Sequence, residues 1–185
     1  PAGRTHLRAE SARLVDHLRE AEALAEQLGD NQRRGRIANY LCISFSNLGE
    51  HDRAIAAGQR ALALATASGA VDIQVLAQTY LGAAYYHVGD YRQALDVSRP
   101  ALGLLAGEWR LARFGQAALP AISVRGVMAW SLTELGGFAE GYSLGEEAIQ
   151  LGETIEQPYS IVFALSCIGL LSRRQGALHK AISAL

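Results

Sequence analysis

The chain is short of several residue types. Among its 185 residues there are one Met, two Cys, four Pro and 7% aromatics, and Lys180 is the single Lys among 17 basic residues. Each shortage excludes something. Two thiols, Cys42 and Cys167, far apart in the sequence, do not make a disulfide framework and suit a reduced, cytoplasmic setting. No apolar run approaches the roughly 18–20 residues of a membrane span, so no membrane partner is expected. A net charge of −1 gives no electrostatic reason to expect nucleic acid. Disorder is excluded too, because 50% of the residues are hydrophobic and 19% charged, enough apolar surface to offset chain entropy. What is abundant is Ala, Leu and Gly, the last with 19 copies.

The glycines reveal an internal repeat. Gly49, Gly89, Gly136 and Gly176 are spaced by 40, 47 and 40 residues. Two residues after each comes His51, Tyr91, Phe138 or Leu178, and three further a small residue, Ala54, Ala94, Gly141 or Ala181. Another seven on lie Ala61, Ala101 and Ala148. Upstream, Cys42, Gly82, Ala129 and Gly169 stand seven before each glycine, preceded by Leu41, Leu81, Met128 and Ile168. Small residues in helical register mean close approach of packed helices, with large ones filling the gaps. The spacing predicts a helix over 8–28, then pairs at 31–48 with 51–68, 70–88 with 91–105, 119–135 with 138–152, and 155–175 with 178 onward. Each repeat glycine ends a first helix, and Gly69 and Gly152 are expected to end second helices in the same way. Short connections make the paired helices antiparallel.

Leu81-Gly82, Tyr85, Gly89, Tyr91, Ala94 and Ala101 resemble the tetratricopeptide repeat (TPR) signature. The first repeat departs from it with Cys42 for Gly and His51 for Tyr, the third with Ala129 and Gly141, the fourth with Ser172 for Tyr. The resemblance covers nearly the whole chain. It implies an all-α, right-handed α-solenoid of antiparallel helix pairs, with about 40 residues per repeat by the spacings above. The repeat domain would divide into a partial leading repeat at 1–30, repeats at 31–69 and 70–106, an insertion at 107–118, a third repeat at 119–153 and a truncated fourth at 154–185. Residues 53–62 and 80–86 further resemble the TPR-containing tails of bacterial proteins that combine an adenylate or guanylate cyclase with an ATPase module. The near-exclusive use of Arg over Lys reads as the codon bias of a GC-rich bacterial genome. The chain starts at Pro1 without Met and stops within an apolar-periodic run at Leu185, so it is expected to be a fragment of a larger regulator.

In the TPR family, ligand contacts come from fixed positions of each first helix. Carried over by register, they fall on Arg36, Asn39, Ile43, Ser46 and Asn47, then on Leu76, Thr79, Ala83, Tyr86 and His87. They continue on Ser123, Gly126, Trp130, Thr133 and Glu134, and on Phe163, Ser166, Leu170 and Arg173. The polar and aromatic members of this set suit an extended peptide or a helix, since aromatics supply area and amides satisfy a peptide backbone. Family members that clamp a C-terminal carboxylate do so with several Lys and Arg; here only Arg36 and Arg173 are basic, at opposite ends, which does not fit that clamp. Trp130 is the leading contact. The implied function is a protein- or peptide-interaction scaffold within a bacterial signalling protein. Alternatives are a small-molecule sensor with a pocket beside Trp109 and Trp130, and a self-association module in which Leu178, Ile182 and Leu185 form a homodimer edge.

Two local features stand apart from the repeat. The insertion contains Trp109, Leu111 and Phe114 interleaved with Arg110 and Arg113, a composition common in interface anchors, or else a plug for the gap that a longer connection opens. From Gly126 to Ser172 there is no Lys or Arg, while Glu134, Glu140, Glu146, Glu147, Glu153 and Glu156 occur; this is either a surface for a basic partner or a solvated helix face. Catalytic chemistry is not expected. There is no phosphate loop, and no two of His6, His17, His51, His87 and His179 are spaced i, i+4 around a Glu as a helical zinc site would need. The two cysteines fall at core positions and read as inert small hydrophobes. No enzyme, cofactor or metal is therefore assigned.

Overall fold

In the computed structural model of the chain, the backbone is described for residues 2–184 and the side chains for 12–183. The side chain of His6 and the terminal Leu185 of the expected dimer edge lie outside the described residues. Within them there are nine α-helices and no strand. The chain forms two compact units, residues 1–88 and 89–185.

The first unit holds α1 (Ala2–Gln27), α2 (Asn31–Leu48), α3 (His51–Ser68) and α4 (Val71–His87). Sequence explains the ends of these helices. Asp30 caps α2 by accepting from the Arg33 amide at 2.9 Å, satisfying one of the donors that a helix start leaves unpaired. Gly49 closes α2 in the left-handed conformation (φ 80°), where a side chain would be strained, and its amide and the next return to Ser46 and Phe45 carbonyls. Only Gly49 and Glu50 separate α2 from α3, so the two pack antiparallel. Their contact is built from the small residues of the repeat: Ala54, Ala57 and Cys42 are buried beside Leu41, Phe45 and Val15. Gly58 is needed for proximity. A Cβ there would sit 3.0 Å from that of Leu81 and 3.1 Å from the Cys42 sulfur.

The second unit holds α5 (Tyr91–Leu104), a 3-10 turn (Gly107–Leu111), α6 (Pro120–Leu135), α7 (Phe138–Thr154), α8 (Pro158–Arg174) and α9 (Leu178–Ala184). Helix α6 is apolar on nearly every face because α5, α7 and α8 all pack on it. Ala121, Ile122, Val124, Met128 and Ala129 are fully buried there. Pro120 and Pro158 each stand in the first turn of a helix, where a missing amide costs nothing.

Two expectations about helix ends are corrected. Gly152 does not end α7, which runs on to Thr154; it is instead the point of closest approach to α8, 2.9 Å from Ile161 Cγ1 for an added Cβ. Helix α8 starts at Pro158 rather than 155, because Glu156 takes a left-handed conformation (φ 49°) in the turn before it.

Candidate functional site

The expected contact residues of the first unit lie on α2 and α4, which touch each other directly. Arg36 is exposed and pairs with Asp72 at 2.9 Å, one residue into α4. Asn47 is exposed. At the far end of α4, His87 stacks on His51 from the start of α3 (5.7 Å between centroids, planes 21° apart), and Tyr86 meets His87 edge-on at 5.7 Å. Burial, and then the charge of His51, hold the His87 pKa below its usual 6.5. The His51 Nδ1 and the Ser46 hydroxyl are both enclosed with no hydrogen-bond partner. Sequence spacing gave no sign of this histidine pair, since 36 positions separate its members and only the return of α4 beside α3 joins them.

Three expected contact residues turn inward. Asn39, Thr79 and Thr133 are 2%, 3% and 4% exposed. Asn39 donates its amide to the Ile73 carbonyl at 3.0 Å, tying α2 to α4. Thr79 and Thr133 each return a hydroxyl to the carbonyl four residues earlier, Val75 and Ala129, at 2.8 and 2.7 Å. The two threonine hydroxyls are thus satisfied inside their own helices, which is how a hydroxyl becomes acceptable in a helix interior. A register taken from sequence cannot show this, because it marks the helix face and not how deeply the neighbouring helix covers it.

In the second unit the inner helices are α6 and α8. Trp130 packs edge-to-face on Phe163 at 5.3 Å, both half-buried, and hydrogen-bonds the Cys167 thiol. Gly126 makes room for the Phe163 ring, which would lie 2.5 Å from a Cβ at that position. Glu134 pairs at 2.8 Å with Arg174, while Arg173, another expected contact residue, stays exposed. Cys167 and Cys42 are 0% exposed, and burial pushes each thiol up to about 12.

The insertion forms its own surface. Trp109 is 39% and Leu111 47% exposed; Arg110 and Arg113 are exposed, and Phe114 is half-buried against Trp109 at 5.7 Å. Phe114 takes φ 50° between Arg113 and Gly115. The segment is anchored at the start of α8, where Gln157 in the preceding turn donates to the Ala117 carbonyl at 2.6 Å and Ser160 in the first turn of the helix accepts from the Leu119 amide at 3.4 Å. The acidic stretch is divided. Glu134, Glu140 and Glu147 pair with Arg174, Arg99 and Arg125, whereas Glu146, Glu153 and Glu156 make no ion pair among the described residues.

A cleft of about 670 Å³ opens among α7, α8 and α9, with Tyr142, Glu146, Ile168, Ser172 and His179 in its wall. Neither tryptophan lines it, so it is not the pocket expected beside Trp109 and Trp130. Among the described residues no group of three or more His, Cys, Asp or Glu could hold a metal ion, and no helix is long and apolar enough to cross a membrane.

Solved structures of TPR-like repeat proteins share this fold. A kinesin-light-chain-type protein of nearly identical TPR-like repeats from Podosopora anserina matches with a TM-score of 0.70 at 15% identity, over 99% of this chain and 87% of its own. BtubC (BKLC) from P. vanneervenii matches with a TM-score of 0.67, also at 15% identity, over 96% of this chain and 86% of its own. The chain is thus an all-α solenoid of the TPR-like class. No family model matches its sequence. No curated protein matches it.

Proposed function

We propose that the chain is a protein- or peptide-interaction scaffold that uses the faces of its first helices. Repeat folds of this class are in general scaffolds for protein interaction, because stacked helix pairs present extended surfaces with no chemistry of their own. The observation that carries the reading is Trp130, an indole seated on Phe163 and fixed by Cys167, yet left half-exposed on α6. A rigid aromatic with little rotamer entropy to lose is the usual anchor of a peptide contact. Arg36, Asn47, Tyr86, His87 and Arg173 are the accessible polar and aromatic groups on the corresponding faces. The finer role, a regulatory module of a bacterial signalling protein, rests on the resemblance of residues 53–62 and 80–86 to cyclase-associated tails. A cytoplasmic setting rests on the two lone thiols.

Selection of a twelve-residue peptide display library against the full chain tests this. Enriched peptides should bind Trp130→Ala or Tyr86→Ala at least tenfold more weakly, with unchanged helicity by circular dichroism. Binding that survives both substitutions would refute the first-helix faces as the working surface.

A further inference from the structure

The two non-glycine residues with positive φ among the described residues, Phe114 and Glu156, belong to segments that the Gln157–Ala117 and Ser160–Leu119 hydrogen bonds join. A left-handed backbone at a residue with a side chain persists only where its surroundings hold it, and such residues collect at sites of function. Here they shape adjoining surfaces of opposite charge. One is the insertion, with exposed Trp109 and Leu111 and the unpaired Arg110 and Arg113. The other is the corner between α7 and α8, with unpaired Glu153 and Glu156 followed by Tyr159 (61% exposed) and Val162 (65% exposed). Each patch therefore holds two like charges that make no ion pair among the described residues and two exposed apolar side chains. Glu108 is the single acidic residue in the first patch, and the second has no basic one.

We infer that this surface binds a second copy of the chain, with the insertion of each protomer against the α7–α8 corner of its partner. Adjoining patches of opposite charge are self-complementary in a two-fold contact, because residue i then meets j and j meets i. A basic partner would satisfy only the corner, and an acidic one only the insertion. An anionic membrane fits less well, since two arginines beside Glu153 and Glu156 are far from the cluster of about 4–8 basic residues that such a surface attracts. About eight residues from each chain take part, against roughly 20–30 a side in a standard interface. The dimer is accordingly weak, with dissociation in the micromolar range or above, and sensitive to salt.

Sedimentation velocity of the full chain between 5 µM and 1 mM, at about 50 mM and 500 mM NaCl, measures this. The wild type should shift toward twice the monomer mass at low salt and revert at high salt. Arg110→Glu with Arg113→Glu should be monomeric throughout, as should Glu153→Arg with Glu156→Arg. An equimolar mixture of the two variants should recover the dimer, which loss of folding in either would prevent. A wild type that stays monomeric at 1 mM overturns the inference, whether or not it binds anionic vesicles or other proteins. A dimer that survives in both charge variants but is lost in Ile182→Asp overturns it in favour of the C-terminal edge. Failure of the mixture to associate also overturns it. None of these outcomes bears on peptide binding at Trp130, so the two readings stand or fall separately.

Discussion

One substitution, Gly to Ala, should have opposite effects at two places in the second unit. Gly103 lies in the last turn of α5, exposed, and an added Cβ meets nothing within 4 Å. Alanine there loses less backbone entropy on folding, and near a helix end the gain is at the lower part of the usual range, about 0.5 kcal/mol. Gly152 lies in the last turn of α7, buried. Its added Cβ would stand 2.9 Å from Ile161 Cγ1, 3.2 Å from the Ile161 backbone nitrogen and 3.3 Å from its Cα. The side chain can rotate away, but the nitrogen cannot, because it donates to the Gln157 carbonyl at 3.1 Å in the first turn of α8. The two helices must move apart by several tenths of an ångström. Overpacking of this kind costs about 1–3 kcal/mol, which exceeds the entropic gain and leaves a net loss of about 1–2 kcal/mol. Urea denaturation followed at 222 nm is the assay. With a slope of about 1.5 kcal/mol/M, the midpoint should rise by about 0.3 M for Gly103→Ala and fall by about 0.7–1.3 M for Gly152→Ala. An equal rise for both would mean that α7 and α8 do not meet backbone to backbone at Gly152, and the packing argument would fail.

Two further outcomes follow from the titratable groups. Cys42 and Cys167, both buried and pushed up to about 12, should resist thiol-specific reagents at pH 8 and react fully in denaturant; fast labelling of the native chain would contradict their burial. His87 is held below 6.5 by burial and by His51, so both states keep it neutral above that value. As the pH falls below 6.5 the unfolded chain takes up a proton that the folded chain resists. Stability therefore drops until the pH passes the lowered folded value, then levels off. His87→Gln should remove that part of the fall, and wild-type and variant stability curves that stay parallel from pH 7.5 to pH 5 would rule the coupling out.

The inner helix faces show where a repeat register stops being informative. The register placed Trp130 and Phe163 on the same side of neighbouring helices, and the rings meet at 5.3 Å. It placed Thr133 and Asn39 by the same rule, yet both are buried. The difference is depth, which depends on how far α4 and α8 overlap their neighbours. That overlap follows from the summed shapes of residues such as Gly126, Phe163 and Ile73, scattered along the chain.

The helices themselves are local events, and local signals sufficed for them. The 40-residue beat of Gly49, Gly89, Gly136 and Gly176, the cap at Asp30 and the prolines at 120 and 158 specify helix pairs, because capping and left-handed closure act within a few residues. The same signals carry the all-α repeat class, since short connections leave antiparallel neighbours as the only arrangement. The pairings that shape the surface belong to the tertiary structure: His51 on His87, Arg174 on Glu134, and the insertion tied to the turn before α8. Each joins residues that are 36–40 positions apart in sequence, and no periodicity within one helix contains that information. Even Gly152 reads alone as a helix stop, and only the presence of Ile161 across the interface makes it a point of contact.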